Sequence, residues 1–288
     1  MSPAFLAPAK INLTLEVLAR RDDGYHGVRS VMVPLDFCDE ISVEPSDRFA
    51  FSCSRGDLED DDNLVVRALR ALGDLPPARV ALHKRIPVAA GLGGGSSDAA
   101  AVLRAAMEGA FGRRPAEDWL QIARGLGSDV PFFLAGTGAL VEGTGERVTP
   151  LGALPHWHVV IVKPPVGVST AAAYARLDGG QRTLRPRNAS QSLAMITAVQ
   201  RSDFDAVQAL LHNDFEEPVA AHVPEVATAL NALAAAGARR PLLAGSGSCV
   251  FALAPARAEA ERILERLSLP QEYDRFAAAF AATPQWRS

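Results

Sequence analysis

From Ile11 onward, apolar and polar positions alternate. Leu13, Leu15 and Val17 fall on one side of the period and Asn12, Thr14 and Glu16 on the other, so residues 4–18 are predicted to form a strand. Two apolar runs, 28–37 and 39–45, read as further strands, with 47–52 as a weaker one. The period then lengthens. Residues 64–72 carry a helical stripe that follows the acidic cluster Asp57, Glu59, Asp60, Asp61 and Asp62 and stops at Gly73 and the Pro76–Pro77 pair. A strand at 79–86 leads into a glycine-rich stretch, an alanine-rich helix at 96–111 and a helix at 116–125, and an apolar stretch at 130–135 follows Gly127, Ser128 and Asp129.

Pro150, Gly152 and Pro155 interrupt the pattern, which sets an expected boundary between units 1–152 and 153–288. The second unit reads as a strand (157–163), a helix (about 169–177) and a turn-rich basic stretch (178–189). Helices at 191–200, 203–213 and 224–236 follow, then a strand-to-loop transition at 242–247, a strand at 248–254 and a helix at 256–267. Strands and helices mixed without strict alternation predict an α+β fold.

Composition narrows the function classes. The chain has 288 residues, is 48% hydrophobic and carries a formal net charge of -4, so it can bury a sizeable core and has no global basic field for nucleic acid. No apolar run approaches the ~20 residues that span a bilayer, and the N-terminal residues lack the basic-then-apolar order of a secretory signal. The cysteines, Cys38, Cys53 and Cys249, are odd in number and form no CxxC pair. A cytoplasmic protein without membrane or nucleic-acid partners is expected, as a monomer or a homodimer. Of 29 basic residues only Lys10, Lys84 and Lys163 are lysine, which singles each out wherever a compact point charge is needed.

Candidate chemistry centres on Pro87, Val88, Ala89, Ala90, Gly91, Leu92, Gly93, Gly94, Gly95, Ser96 and Ser97, between a predicted strand and a predicted helix. Four glycines in five positions let several N–H groups converge on one concavity with a helix N-terminus behind them, which is an anion site. A flexible loop before an ordinary Ser-capped helix is the plainer alternative. Ser96 follows Gly95 where a Walker loop requires lysine and where a dinucleotide fingerprint requires a third glycine or an alanine, so both of those patterns fail. Two further segments stand out: Pro8 to Leu15, with Lys10 at the entry of a strand, and Leu242 to Phe251, a second glycine-rich turn. Alone, they read as a surface lysine and a tight hairpin.

In this order the three segments resemble the galactokinase, homoserine kinase, mevalonate kinase and phosphomevalonate kinase (GHMP) superfamily, whose central motif matches Pro87, Gly91, Leu92 and the run to Ser97. The stretches PAKINLTLEVLARRDDGYHGVRSVM, IPVAAGLGGGSSDAA, GSDVPFFLAGTGALVEGTGE and AGSGSCVFAL look most like the branch that phosphorylates a cytidine diphosphate alcohol in non-mevalonate isoprenoid synthesis. The resemblance covers about Ala7 to Phe251. It implies a ribosomal-protein-S5-domain-2-like N-terminal domain, a ferredoxin-like C-terminal domain and a site in the cleft between them.

It further implies ATP as phosphoryl donor on 87–97, with Mg²⁺ expected beside it, although no residue is a clear metal ligand. Asp129 would take the acceptor hydroxyl proton, with Lys10 as its partner. Asn12, Tyr25, His26, Tyr174, Gly245, Ser246 and Gly247 would hold the acceptor. Tyr174 would stack on cytosine, and backbone N–H groups of 245–248 would close that side. Asp129 could equally be a mere helix cap before Val130 and Pro131. A homoserine or mevalonate type kinase and a non-catalytic nucleotide-binding module remain as alternatives, and a dehydrogenase is excluded by the missing third glycine.

Overall fold

The computed structural model describes residues 4–20, 26–112, 118–179 and 190–281. In the first half the order is β1 (Ala4–Arg20), β2 (His26–Pro45), β3 (Ala50–Cys53), α1 (Leu64–Ala71), β4 (Ala78–His83), α2 (Gly94–Met107), α3 (Trp119–Leu126), α4 (Val130–Ala135), β5 (Ala139–Gly143) and β6 (Arg147–Pro150). The second half contributes β7 (His158–Lys163), α5 (Thr170–Gly179), α6 (Gln191–Gln200), α7 (Phe204–Leu210), β8 (His212–Asn213), α8 (Glu216–His222), α9 (Pro224–Ala235), β9 (Leu242–Leu243), β10 (Val250–Ala254), α10 (Arg257–Arg266) and β11 (Asp274–Ala279).

Among the described residues the strands form two sheets. The first runs β3-β4-β2-β1-β8, with β5 added along β2 and β6 along β5. The second runs β11-β7-β10-β9 and is antiparallel throughout. In the chain order of its own strands this is 4-1-3-2, the ferredoxin-like arrangement, so the α+β expectation and the C-terminal fold both hold. The chain passes from the first sheet to the second between β6 and β7, and β8 returns from the second half to pair in parallel with Thr14 and Leu15 of β1.

Alternation along β1 explains its position. Ala9, Ile11 and Leu13 enter a core shared by the two sheets, with Val33 and Leu35 of β2, Ile161 of β7 and Phe251 of β10. The intervening Lys10, Asn12, Thr14 and Glu16 are buried as well, which makes one face of a core strand polar. A second core packs α1, α2 and α4 on the first sheet around Leu103, Phe132 and Phe133. A third packs α8, α9 and α10 on the second sheet.

Several elements depart from the expected pattern. The runs 28–37 and 39–45 are one continuous strand, because the buried Asp39 carboxylate at the apparent break accepts the N–H groups of Arg85 and Ile86. The helix expected over 203–213 ends at Leu210, and the chain then turns extended. Asp214 N–H donates to Leu15 O (3.0 Å), and the Asp214 carboxylate accepts Val17 N–H (2.7 Å). The hairpin β5–β6, the short helix α8 and the last strand β11 were not expected at all. Expected helix 96–111 begins at Gly94, two residues early.

Candidate active site

The early start of α2 shapes the anion seat. Its cap is Gly93, at φ 73°, with no side-chain cap bond. The first intrahelical bond is Ser97 N–H to Gly93 O at 2.9 Å, so the N–H groups of Gly94, Gly95 and Ser96 have no partner within the helix. The helix was expected to begin at Ser96 with a serine cap. Ser96 lies inside its first turn instead, and glycine at the cap leaves the N–H groups clear for a ligand. An added Cβ at Gly93 would meet Phe133 at 2.9 Å and Lys10 Cγ at 3.0 Å.

A cleft of about 560 Å³ opens over this seat. It is lined by Lys10, Asn12, 87–96, Asp129, Tyr174 and 245–247, so most of the residues singled out from the sequence share one cavity. Ser97 is fully buried behind the loop and does not line the cleft. Tyr25 lies outside the described residues. His26 does not line the cleft; its ring stacks on Tyr174 with centroids 5.5 Å apart. His26 Nδ1 lies 3.0 Å from Leu18 O, and Nε2 lies 3.0 Å from Asp178 Oδ1. Tyr174 also meets Phe215 edge to face at 4.9 Å. Because the Tyr174 and His26 rings already touch, a base would meet Tyr174 on another face.

Lys10 is held from three sides. Its N–H donates to Leu92 O of the glycine loop (2.9 Å), its Nζ donates to Asn12 Oδ1 (2.8 Å), and Asp129 Oδ2 stands 3.6 Å from Nζ. Asp129 occupies the cap position of α4 yet makes no side-chain cap bond. Its carboxylate, one-third exposed, faces the lysine instead. Capping therefore does not account for this aspartate.

The second glycine-rich turn closes onto the first. Cys249 N–H donates to Ala90 O (3.1 Å) and Ser248 N–H to Ala89 O (3.4 Å). Gly247 N–H is taken by Ala244 O at 2.8 Å. Two of the backbone donors expected to face an acceptor are thus spent inside the protein, Ser248 N–H on the facing turn and Gly247 N–H within its own turn. The turn is also fixed from below: the buried Asn213 amide donates to Leu243 O (2.8 Å) and Gly245 O (2.7 Å).

Sequence reasoning missed other parts of the site. Leu58, Asn63, Leu64 and Lys84 extend the cleft past the loop, and Thr144 and Gly145 of the β5–β6 turn form another wall. An added Cβ at Gly145 would lie 2.3 Å from Ser128 O, so that turn packs against the residue before Asp129. The repeated Gly-Thr-Gly of 136–138 and 143–145 was a signal for this, but without a pairing partner it carried no assignment.

Beneath the loop, buried Lys84 bonds the Asp39 carboxylate and Asp98 Oδ2 (2.7 Å). Burial pushes the Asp98 carboxyl from 3.8 up to about 8, against the pull of Lys84. At Lys84 burial works against the charge, but the two carboxylates outweigh it and raise its pKa. Between the two Asp98 values the folded protein holds a proton that the unfolded chain has released, so this contribution to stability declines as pH rises and is gone above about 8. Asp98→Asn, which places an amide where the protonated acid stood, is expected to flatten the decline of Tm across that window. An unchanged slope would remove Asp98 as its source.

A cleft that seats an anion on a helix start and sets a lysine and an aspartate beside it is built to move a phosphoryl group onto a small acceptor. The known proteins agree. The profile of the GHMP kinase N-terminal domain matches residues 63–137, and that of the GHMP kinase C-terminal region matches 195–271. The chain belongs to the GHMP kinase family. A 4-diphosphocytidyl-2-C-methyl-D-erythritol kinase of Deinococcus radiodurans is 44% identical over 263 residues, 88% of this chain and 85% of that protein. One from Pelotomaculum thermopropionicum is 43% identical, covering 91% and 92%. A crystal structure of 4-(cytidine 5'-diphospho)-2C-methyl-D-erythritol kinase superposes with TM-score 0.79 at 37% identity, covering 96% of this chain and 98% of that one. Homoserine kinase from Cytophaga hutchinsonii, at 18% identity and TM-score 0.70, shares the fold.

Proposed function

We infer that this chain phosphorylates the 2-hydroxyl of 4-diphosphocytidyl-2-C-methyl-D-erythritol with ATP, giving the 2-phosphate and ADP in non-mevalonate isoprenoid synthesis. The observation that carries the chemistry is the Lys10–Asp129 pair, 3.6 Å apart at the glycine-loop cleft. The names of relatives at 43–44% identity support the acceptor.

In this reading the free N–H groups of α2 hold the ATP phosphates, and Leu58, Leu64 and Val88 give the adenine ring an apolar wall. Asp129 takes the acceptor hydroxyl proton as the new O–P bond forms and the bond to ADP breaks. Lys10 offsets the charge on the transferring group. Among the described residues no cluster of three carboxylate, histidine or cysteine ligands exists. Mg²⁺ carried on phosphate oxygens would need only one or two protein oxygens, and the Ser96 hydroxyl at the cleft would supply one. When bound, it neutralises phosphate charge.

Asn12 and the 245–247 turn hold the acceptor, and Tyr174, backed by the His26 ring stacked on it, receives its cytosine. Residues 1–152 seat the nucleotide and 153–288 complete the cleft. The three free cysteines suit a reducing cytoplasm. Among the described residues no helix is long and apolar enough to cross a membrane.

An acceptor panel tests the reading. ADP release is expected with 4-diphosphocytidyl-2-C-methyl-D-erythritol and not with homoserine or mevalonate. Turnover of either of the latter alone would overturn it.

A further inference from the structure

We propose that Ser30 is a positioning residue for the phosphoryl transfer: it dictates which end of the Asn12 amide faces Lys10. This rests on the reading of Lys10 given above.

The argument follows from counting donors. Ser30 is buried at 1% exposure on β2, opposite Leu15 of β1. Its hydroxyl has a single hydrogen, and it donates that hydrogen to Thr14 O, a pure acceptor, at 2.6 Å. Toward Asn12, 2.7 Å away, Ser30 Oγ can therefore offer only lone pairs, so the Asn12 group facing it must be the NH₂. That leaves Asn12 Oδ1 to face Lys10 Nζ, where it accepts a bond of 2.8 Å. The reverse orientation would set an NH₂ against an ammonium and leave two buried lone-pair oxygens opposed.

Lys10 in turn has one of its three N–H groups fixed by Asn12, which aims the remainder at Asp129 and the cleft. The string continues away from the site. Thr14 Oγ1 accepts Val31 N–H (3.0 Å) and shares a bond with Ser192 Oγ (2.7 Å) at the start of α6. Glu16 accepts Ser190 Oγ–H, Gln191 N–H and Ser192 N–H there. The carbonyl that receives the Ser30 hydrogen is thus on a strand held from both sides.

Ser30→Thr and Ser30→Val form the decisive pair, since they have the same shape and differ by the hydroxyl. Ser30→Val is expected to show kcat about tenfold below Ser30→Thr, with the KM for ATP of the two alike and a lower Tm for Ser30→Val, which leaves Thr14 O and the Asn12 NH₂ unpaired. In an Asn12→Ala background the difference between the two is expected to vanish, because the effect passes through that amide. Equal kcat for the two, or a difference that survives in Asn12→Ala, would overturn the proposal. Lys10→Ala separates the levels. Its retention of turnover would defeat the reading of Lys10 itself, whereas loss there with equal Ser30 variants defeats only the positioning role.

Discussion

Asp129→Asn is expected to lower turnover by about a thousandfold or more while ATP binding stays within about twofold of the parent. Asparagine keeps the size and the position ahead of α4. Asp129 makes no cap bond there, so the helix loses none of its own support. What is lost is the charge opposite Lys10 and an oxygen basic enough to accept the hydroxyl proton. Single-turnover phosphorylation measures the first quantity and calorimetric titration with a non-hydrolysable ATP analogue the second. Turnover near the parent value would remove Asp129 from the mechanism. Equal loss of turnover and nucleotide binding would assign it to the seat instead.

Gly91→Ala is expected to cost roughly 3–5 kcal/mol of stability and to abolish turnover. Gly91 sits at φ 75°, and an added Cβ would stand 1.9 Å from Ala244 O, 2.8 Å from Ala244 C and 3.0 Å from Gly247 N. All three are backbone atoms, pinned by the bonds that zip residues 89–90 to 248–249 and by Asn213 under the turn. None can yield without parting the 87–97 loop from the 244–249 turn. Gly56→Ala, with nothing within 4 Å, serves as the neutral control. Differential scanning calorimetry of the two decides the matter: a Gly91→Ala protein as stable as the control would mean that the close approach does not constrain the loop.

Both predictions depend on contacts between segments far apart in the chain, which is where sequence reading ran out. The loop at 87–97, the strand carrying Lys10 and Asn12, and the position of Asp129 were legible because each has a local signature: glycines that free the backbone, a period of two, a carboxylate before an apolar run. Lys84 carried no such signature. Its role comes from Asp39 and Asp98, which are 45 and 14 residues away and meet it only under the loop. The β5–β6 hairpin was overlooked for the same reason, since Gly145 in its turn acquires meaning only against Ser128. Asn213 looked like the end of a helix until pairing with β1 overrode that propensity.

The sequence by itself determined the α+β class, the glycine-rich loop ahead of a helix start and the family resemblance, because these are written in short-range periodicity, glycine placement and ordered motifs. The tertiary structure alone decided that Ser97 is buried, that the 247–248 donors are consumed internally, and that Asp129 faces Lys10 rather than capping its helix. Each of those outcomes depends on which partner a hydrogen-bonding group finds at close range, and that partner is supplied by packing two sheets together rather than by neighbours in the chain.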